Sequence, residues 1–166
     1  MDNIRPMTPA DIPRVAEIHV ISRRTAYRGI ISDSRLFSET TVHGQIPKFA
    51  ERLADDTYTT VVYDDGLLWA FMTMCACRDE DKPTAYEVRS IYVDPVRTSH
   101  GIGTQLLAYC YDTAKILGHD EICLWVLKEN HAARAFYEKM GYTPDGATRD
   151  ENSSKPVKLR YCRSIS

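Results

Sequence analysis

The stretch VDPVRTSHGIGTQLL, residues 93–107, constrains the fold more than any other part of the chain. An apolar strand end at Val93 meets Pro95, then Gly101-Ile102-Gly103, then apolar residues at helical spacing: Ile102, Leu106, Cys110, Ala114 and Leu117. Gly118 closes that helix, and Glu121–Leu127 follows as a buried-strand run. Together they read as a strand–helix–strand crossover late in the chain. A helix start leaves its first backbone N–H groups unpaired, and its dipole favours an anion there. Glycines remove the Cβ atoms that would keep a phosphate off that backbone. The junction therefore reads as a pyrophosphate cradle, or as a glycine-rich helix start that binds nothing. Two nucleotide motifs do not fit. A Walker A loop needs a Lys that is absent here, and a dinucleotide fingerprint needs a third glycine where Leu106 stands.

The rest of the pattern alternates. Asn3–Met7 reads as a first strand, and Thr8-Pro9-Ala10-Asp11 as a helix start with Thr8 as N-cap. A second helix is expected over about residues 33–54. Thr57–Tyr63 and Leu67–Cys77 flank Asp64-Asp65-Gly66, a hairpin signal, and a third strand runs from about Thr84 to Val93. Asn130 caps a short helix through Met140, which Gly141 ends. Two last strands flank a polar loop at about Asp145–Lys155. The order β-α-α-β-β-β-α-β-α-β-β predicts a mixed α/β (α+β) fold with a largely antiparallel twisted sheet flanked by helices. No linker or repeat divides residues 1–166, so one domain is expected.

Composition narrows the function. With 21 basic against 23 acidic residues, the net charge of −2 argues against a protein held on nucleic acid by bulk charge. No apolar run approaches the length of a membrane span, and the polar N-terminus is unlike a signal peptide. Cys75, Cys77, Cys110, Cys123 and Cys162 lack paired zinc spacing and read as small buried thiols, which suits a cytoplasmic location. His19, His43, His100, His119 and His131 share no metal-ligand spacing, so no metal is expected. Trp69 and Trp125 read as core residues or pocket walls, with core favoured.

Across nearly its whole length the chain resembles the GNAT superfamily of acetyl-CoA-dependent N-acetyltransferases. IRPMTPADIPRVAEIH resembles that family's first strand and helix, and AYRGIISDSRL the turn between its first two helices. SIYVDPVRTSHGIGTQLL resembles its signature strand–loop–helix, and NHAARAFYEKMGY its second motif, at the usual separation. The resemblance implies a GNAT-like fold and acetyl-CoA as co-substrate. It implies acetyl transfer to a primary amine by direct attack, the acceptor being a small molecule or a peptide. Homodimers are common in the family. The rival is a degenerate, non-catalytic relative that holds a CoA thioester or a protein partner. Its support is a departure in the loop. Thr98 stands where the family usually carries Gln or Arg, Ser99 where Gly is frequent, and Arg97 lies one place early.

By the same resemblance, residues 98–104 (Thr98, Ser99, His100, Gly101, Ile102, Gly103 and Thr104) would cradle the cofactor. The strand residues Ile91, Tyr92 and Val93 would meet its pantetheine arm. Asn130 would contact the cofactor while also capping its helix. Tyr137 matches a tyrosine that protonates the departing thiolate, or else packs beside Phe136. A phenol with an ordinary pKa near ~10 can donate while neutral. Glu87 lies where some members place a general base. Strand alternation puts it on one face with Arg89, Ile91 and Val93, so a purely structural Glu87–Arg89 pair stays open. Tyr27, in the helix–helix turn, would line the acceptor pocket.

Overall fold

In a computed structural model of the chain, residues 3–150 and 156–166 are described. The elements follow the predicted order: β1 (Ile4–Pro6), α1 (Ile12–Ala26), α2 (Val42–Leu53), β2 (Tyr58–Asp64), β3 (Leu68–Ala76), β4 (Tyr86–Val93), α3 (Ile102–Ile116), β5 (Glu121–Leu127), α4 (His131–Lys139), β6 (Thr143–Arg149) and β7 (Lys158–Ser164). They build a seven-stranded sheet in the order β1-β2-β3-β4-β5-β7-β6. Only β4 and β5, joined through α3, run parallel.

Strand alternation sorts the core onto two faces. Val61, Ala70, Met72 and Met74 point to one face and pack with Leu106, Leu107 and Cys110 of α3. Val62 and Phe71 point to the other and pack with Val15, Ala16 and Ile18 of α1 and Phe49 of α2. The helix starts are fixed locally. The Asp11 carboxylate accepts from the Thr8 N–H at 2.7 Å and the Thr8 hydroxyl at 2.9 Å, which holds the chain's entry into α1. Asn130 Oδ1 accepts from the Ala133 N–H at 3.2 Å and caps α4.

Three expectations need correction. The helix expected over residues 33–54 is two pieces: a short π-helical turn at Ser34–Glu39, then α2. Thr40 and Thr41 are extended between them, and Thr41 Oγ1 caps α2 through the Gly44 N–H. Two consecutive β-branched residues, one of them a good N-cap, favour that break. The loop expected at 145–155 is strand β6 up to Arg149, and residues 151–155 lie outside the described part. Cys123 and Cys162, expected as free thiols, sit directly opposite each other on β5 and β7 and are paired as a disulfide. Cys75, Cys77 and Cys110 are free.

The detail that positions the site is in β4. The β3–β4 register shifts where Thr73 pairs Ser90 and Met74 pairs Val88, so Arg89 is an extra residue, a β-bulge. A bulge inverts the alternation beyond it. Glu87, Ile91 and Val93 therefore do not share a face: Tyr86, Val88, Ile91 and Val93 pack with the α3 core, while Tyr92 packs with Phe71 on the α1 side.

Candidate active site

Past the bulge β4 leaves its neighbour. Its pairing with β5 covers only Tyr86, Glu87 and Val88. Beyond Val88 the alternate backbone groups on that edge of β4 have no ladder partner in β5. The C-terminal end of β4 is held in place by α1. Ser22 Oγ donates to the Val93 carbonyl at 2.9 Å, and Arg14 Nη2 donates to Asp94 Oδ2 at 2.5 Å.

A cavity opens on each side of this splay. The back cavity, about 280 Å³, is lined by Ile91, Tyr92, Val93, Thr98, Gly103, Asn130 and Tyr137, among others. The front cavity, about 220 Å³, includes Glu87, Arg89, Trp125 and Leu127 in its lining. Tyr27 and Tyr92 belong to both, and their hydroxyls lie 3.3 Å apart. Burial pushes the Tyr27 phenol well above its ordinary pKa, so it stays protonated and able to donate.

The loop before α3 is built from two left-handed residues. Ser99 has φ of 65° and Gly101, the N-cap of α3, has φ of 77°. Gly101 tolerates that conformation, whereas Ser99 is strained by it. Gly103 is favoured for another reason: a Cβ there would lie 3.1 Å from Phe136 Cζ of α4, tighter than ordinary contact. The first bond of α3 runs from the Gln105 N–H to the Gly101 carbonyl, so the N–H groups of Ile102, Gly103 and Thr104 face out of the helix start. Ile102 itself is buried in the core and can offer only its backbone. Ser99, His100, Gly101 and Thr104 are exposed around that helix start. Thr98 Oγ1 donates to the Pro95 carbonyl at 3.0 Å and His100 Nδ1 lies 2.8 Å from the Thr98 carbonyl, so side chains of the loop tie it to itself. Arg97, the nearest guanidinium, is turned away: it pairs with Asp65 at 2.9 Å and covers the Trp69 ring.

Tyr137 lies beside Phe136 and Tyr142, with ring centroids 5.5 and 6.1 Å away. Burial, with a smaller contribution from Tyr92, pushes its phenol above the ordinary range, so it holds its proton at neutral pH. Glu87 is 2% exposed and engaged by a residue other than the one expected. Arg78, not Arg89, donates to both oxygens, Nε to Oε2 at 2.9 Å and Nη2 to Oε1 at 2.6 Å. The bulge explains the change of partner, because it turns Arg89 into the front cavity. Trp125, favoured as core, is a wall of that cavity. Its Nε1 donates to Asp79 Oδ2 at 2.9 Å, and Arg149 stacks over its ring at 4.1 Å.

The sequence pattern singles out neither Arg23 nor the Tyr92 side chain, offers Arg89 only as a partner for Glu87 and leaves Arg149 in a polar loop; the fold brings all four to the front cavity. One signal was available for Arg23. It continues the row Ala16–His19/Val20–Arg23–Tyr27 on the apolar stripe of α1, an unusual place for a charge.

Comparison with known proteins agrees with this arrangement. Residues 13–142 match the acetyltransferase (GNAT) family. The chain belongs to this family. It is 27% identical to the uncharacterized N-acetyltransferase YuaI of Bacillus subtilis over 161 residues, covering 96% of this chain and 90% of that one. The PaiA N-acetyltransferase of Thermoplasma acidophilum, solved in complex with coenzyme A, superposes with a TM-score of 0.74 at 20% identity, covering 97% of each chain. An N-acetyltransferase of Staphylococcus aureus Mu50 superposes with a TM-score of 0.71 at 20% identity, covering 98% of each. The family assignment makes this GNAT chain an acyl-transfer protein, and the superpositions bear out its fold.

Proposed function

We propose that this GNAT protein transfers the acetyl group of acetyl-CoA to an amine by direct attack. The observation that carries the reading is the splay of β4 from β5, with one cavity on each side and Tyr27 and Tyr92 shared between them. Two reactants entering from opposite faces would meet there, which removes most of the entropic cost of bringing them together. The residues present fit the co-substrate: three outward N–H groups at the start of α3 suit a pyrophosphate, and the unpaired edge of β4 suits the amides of a pantetheine arm. Acetyl-CoA supplies a thioester-activated acetyl group. Residues 98–104 would hold its phosphates, Ile91 to Val93 its arm, and Asn130 would contact it through the amide nitrogen that capping leaves free. A backbone N–H near Ile91 would donate to the thioester oxygen as negative charge develops there.

Tyr137, protonated and inside the back cavity, would give its proton to the departing sulfur. Glu87 is assigned a positioning role, because both of its oxygens already accept from Arg78. The thiols offer no acyl-enzyme route. Burial raises Cys75 to about 11 and Cys110 to about 12 and also pushes Cys77 up, so all three hold their protons at neutral pH, and Cys123 and Cys162 are paired. The test pairs two variants. Tyr137→Phe should lower kcat by roughly 10²-fold or more while leaving acetyl-CoA affinity near wild type. Glu87→Gln should leave the shape of the pH–rate profile unchanged. Equal loss of kcat and affinity in Tyr137→Phe would make Tyr137 a packing residue, and loss of the acidic limb of the pH–rate profile in Glu87→Gln would restore Glu87 as the base.

A further inference from the structure

The lining of the front cavity has a charge that the chain as a whole does not. Five basic residues converge on it: Arg23 from α1, Arg35 from the π-helical turn, Arg89 from the bulge, Arg149 from β6 and Lys158 from β7. They come from five separate elements, so this is no solvated helix face. Among the described lining residues Glu87 is the only acid, and Arg78, outside the cavity, already neutralises it. Arg149 pairs with Asp79, Arg35 lies 3.9 Å from Glu39, and Lys158 is engaged as well. Arg23 and Arg89 have no carboxylate within ion-pair distance among the described residues.

Arg23 shows the imbalance most clearly. Its Nε is buried with no hydrogen-bond partner, and its Nη1 reaches only the Tyr92 hydroxyl, at 3.4 Å. A buried guanidinium N–H without an acceptor is costly, and the fold tolerates it at the wall of a cavity. The guanidinium stacks 5.0 Å above the Tyr27 ring, which fixes its plane. Arg89 adds a second positive charge on the same cavity.

From this geometry we infer that the acceptor is a small amine that also carries an oxyanion, with the oxyanion on Arg23 and Arg89 and the amine toward the Tyr27–Tyr92 pair. An α-amino carboxylate or an aminophosphonate has that chemistry, and a planar guanidinium binds either oxyanion with two parallel hydrogen bonds. The volume of about 220 Å³ is roughly seven waters' worth at ~30 Å³ each, the scale of such a molecule. A polyamine would meet like charge throughout. The inference rests on the acetyl-transfer reading for its chemistry, and its binding half can be read without turnover.

The experiment has two arms on the purified protein. Free-thiol release from acetyl-CoA is measured with L-amino acids and 2-aminoethylphosphonate, against the matching amino-acid amides and spermidine. In parallel, N-acetyl amino acids and their amides are titrated by calorimetry, which needs no catalysis. The oxyanion-bearing members should exceed the neutral and cationic ones by about ten- to a hundredfold in kcat/KM, and N-acetyl acids should exceed their amides in affinity in the same sense. The carboxylate and phosphonate members of the panel show which oxyanion is preferred. Arg89→Gln, at an exposed site, and Arg23→Gln should collapse that preference. Thiol release from amides or spermidine equal to that from acids, or preference surviving in both variants, would overturn the inference. Discrimination in calorimetry without thiol release from any amine would keep the oxyanion site and overturn acetyl transfer instead. Calorimetry showing no discrimination, with no turnover, would overturn the inference.

Discussion

Ser99 carries the clearest cost of any single residue. Among the described residues it is the non-glycine one held at positive φ, 65°, and it lies in the loop proposed to meet the phosphates. A left-handed conformation costs a residue with a Cβ roughly 1–2 kcal/mol, and a glycine avoids it. Ser99→Gly should therefore raise stability by about 1 kcal/mol in a denaturant titration. An unchanged or lowered midpoint would mean that the serine side chain compensates the strain. The sequence exposed this position by comparison with the family pattern, where glycine is frequent. It did not expose why Gly103 is a glycine. The reason is Phe136, 33 positions away in the chain, whose ring would lie 3.1 Å from an added Cβ. Close approach between helices leaves no local mark in a sequence.

At the scale of elements, α1 does two jobs that its pattern shows unequally. Ile12, Val15, Ala16, Ile18 and Ile21 recur at roughly helical spacing in the sequence; the first four are buried and Ile21 is exposed. Polar residues among them carry the site: Ser22 anchors β4, Arg23 enters the front cavity, and His19 packs edge-on to Phe49 and Tyr92. Burial first, then Arg23, Arg52 and Lys48, lower His19 to about 3 from its ordinary 6.5. A folded-state pKa below the unfolded one means that the unfolded chain takes up the proton first as pH falls. Stability is therefore intact above about pH 6.5 and declines from there toward pH 3. Between pH 7 and pH 5 the loss should be about 2 kcal/mol. Urea titrations of the wild type and of His19→Phe would show it as the difference in slope with pH, and equal slopes would contradict it. The β4 bulge is the opposite case. Tyr86 and Val88 set an apolar phase that breaks at Arg89-Ser90 and resumes at Ile91 and Val93, but that the extra residue is Arg89 shows only in the register with β3. That one shift separates Glu87 from Ile91, frees Arg89 from Glu87 and opens the splay.

For the molecule as a whole, a net charge of −2 conceals a divided surface. Arginines and a lysine gather around the front cavity, and the back cavity is walled mainly by apolar and uncharged residues. Element order and topology were readable because hydrophobic period, glycine stops and helix caps all agree along the chain. The cavities were not, because they are made of residues as distant in the chain as Arg23 and Lys158, gathered where two strands part. Everything proposed about chemistry depends on which molecule enters the back cavity. The most direct measurement is a calorimetric titration of acetyl-CoA into the purified protein. The account predicts one saturable site with affinity at millimolar or tighter; heats that remain at dilution level through millimolar acetyl-CoA would contradict it.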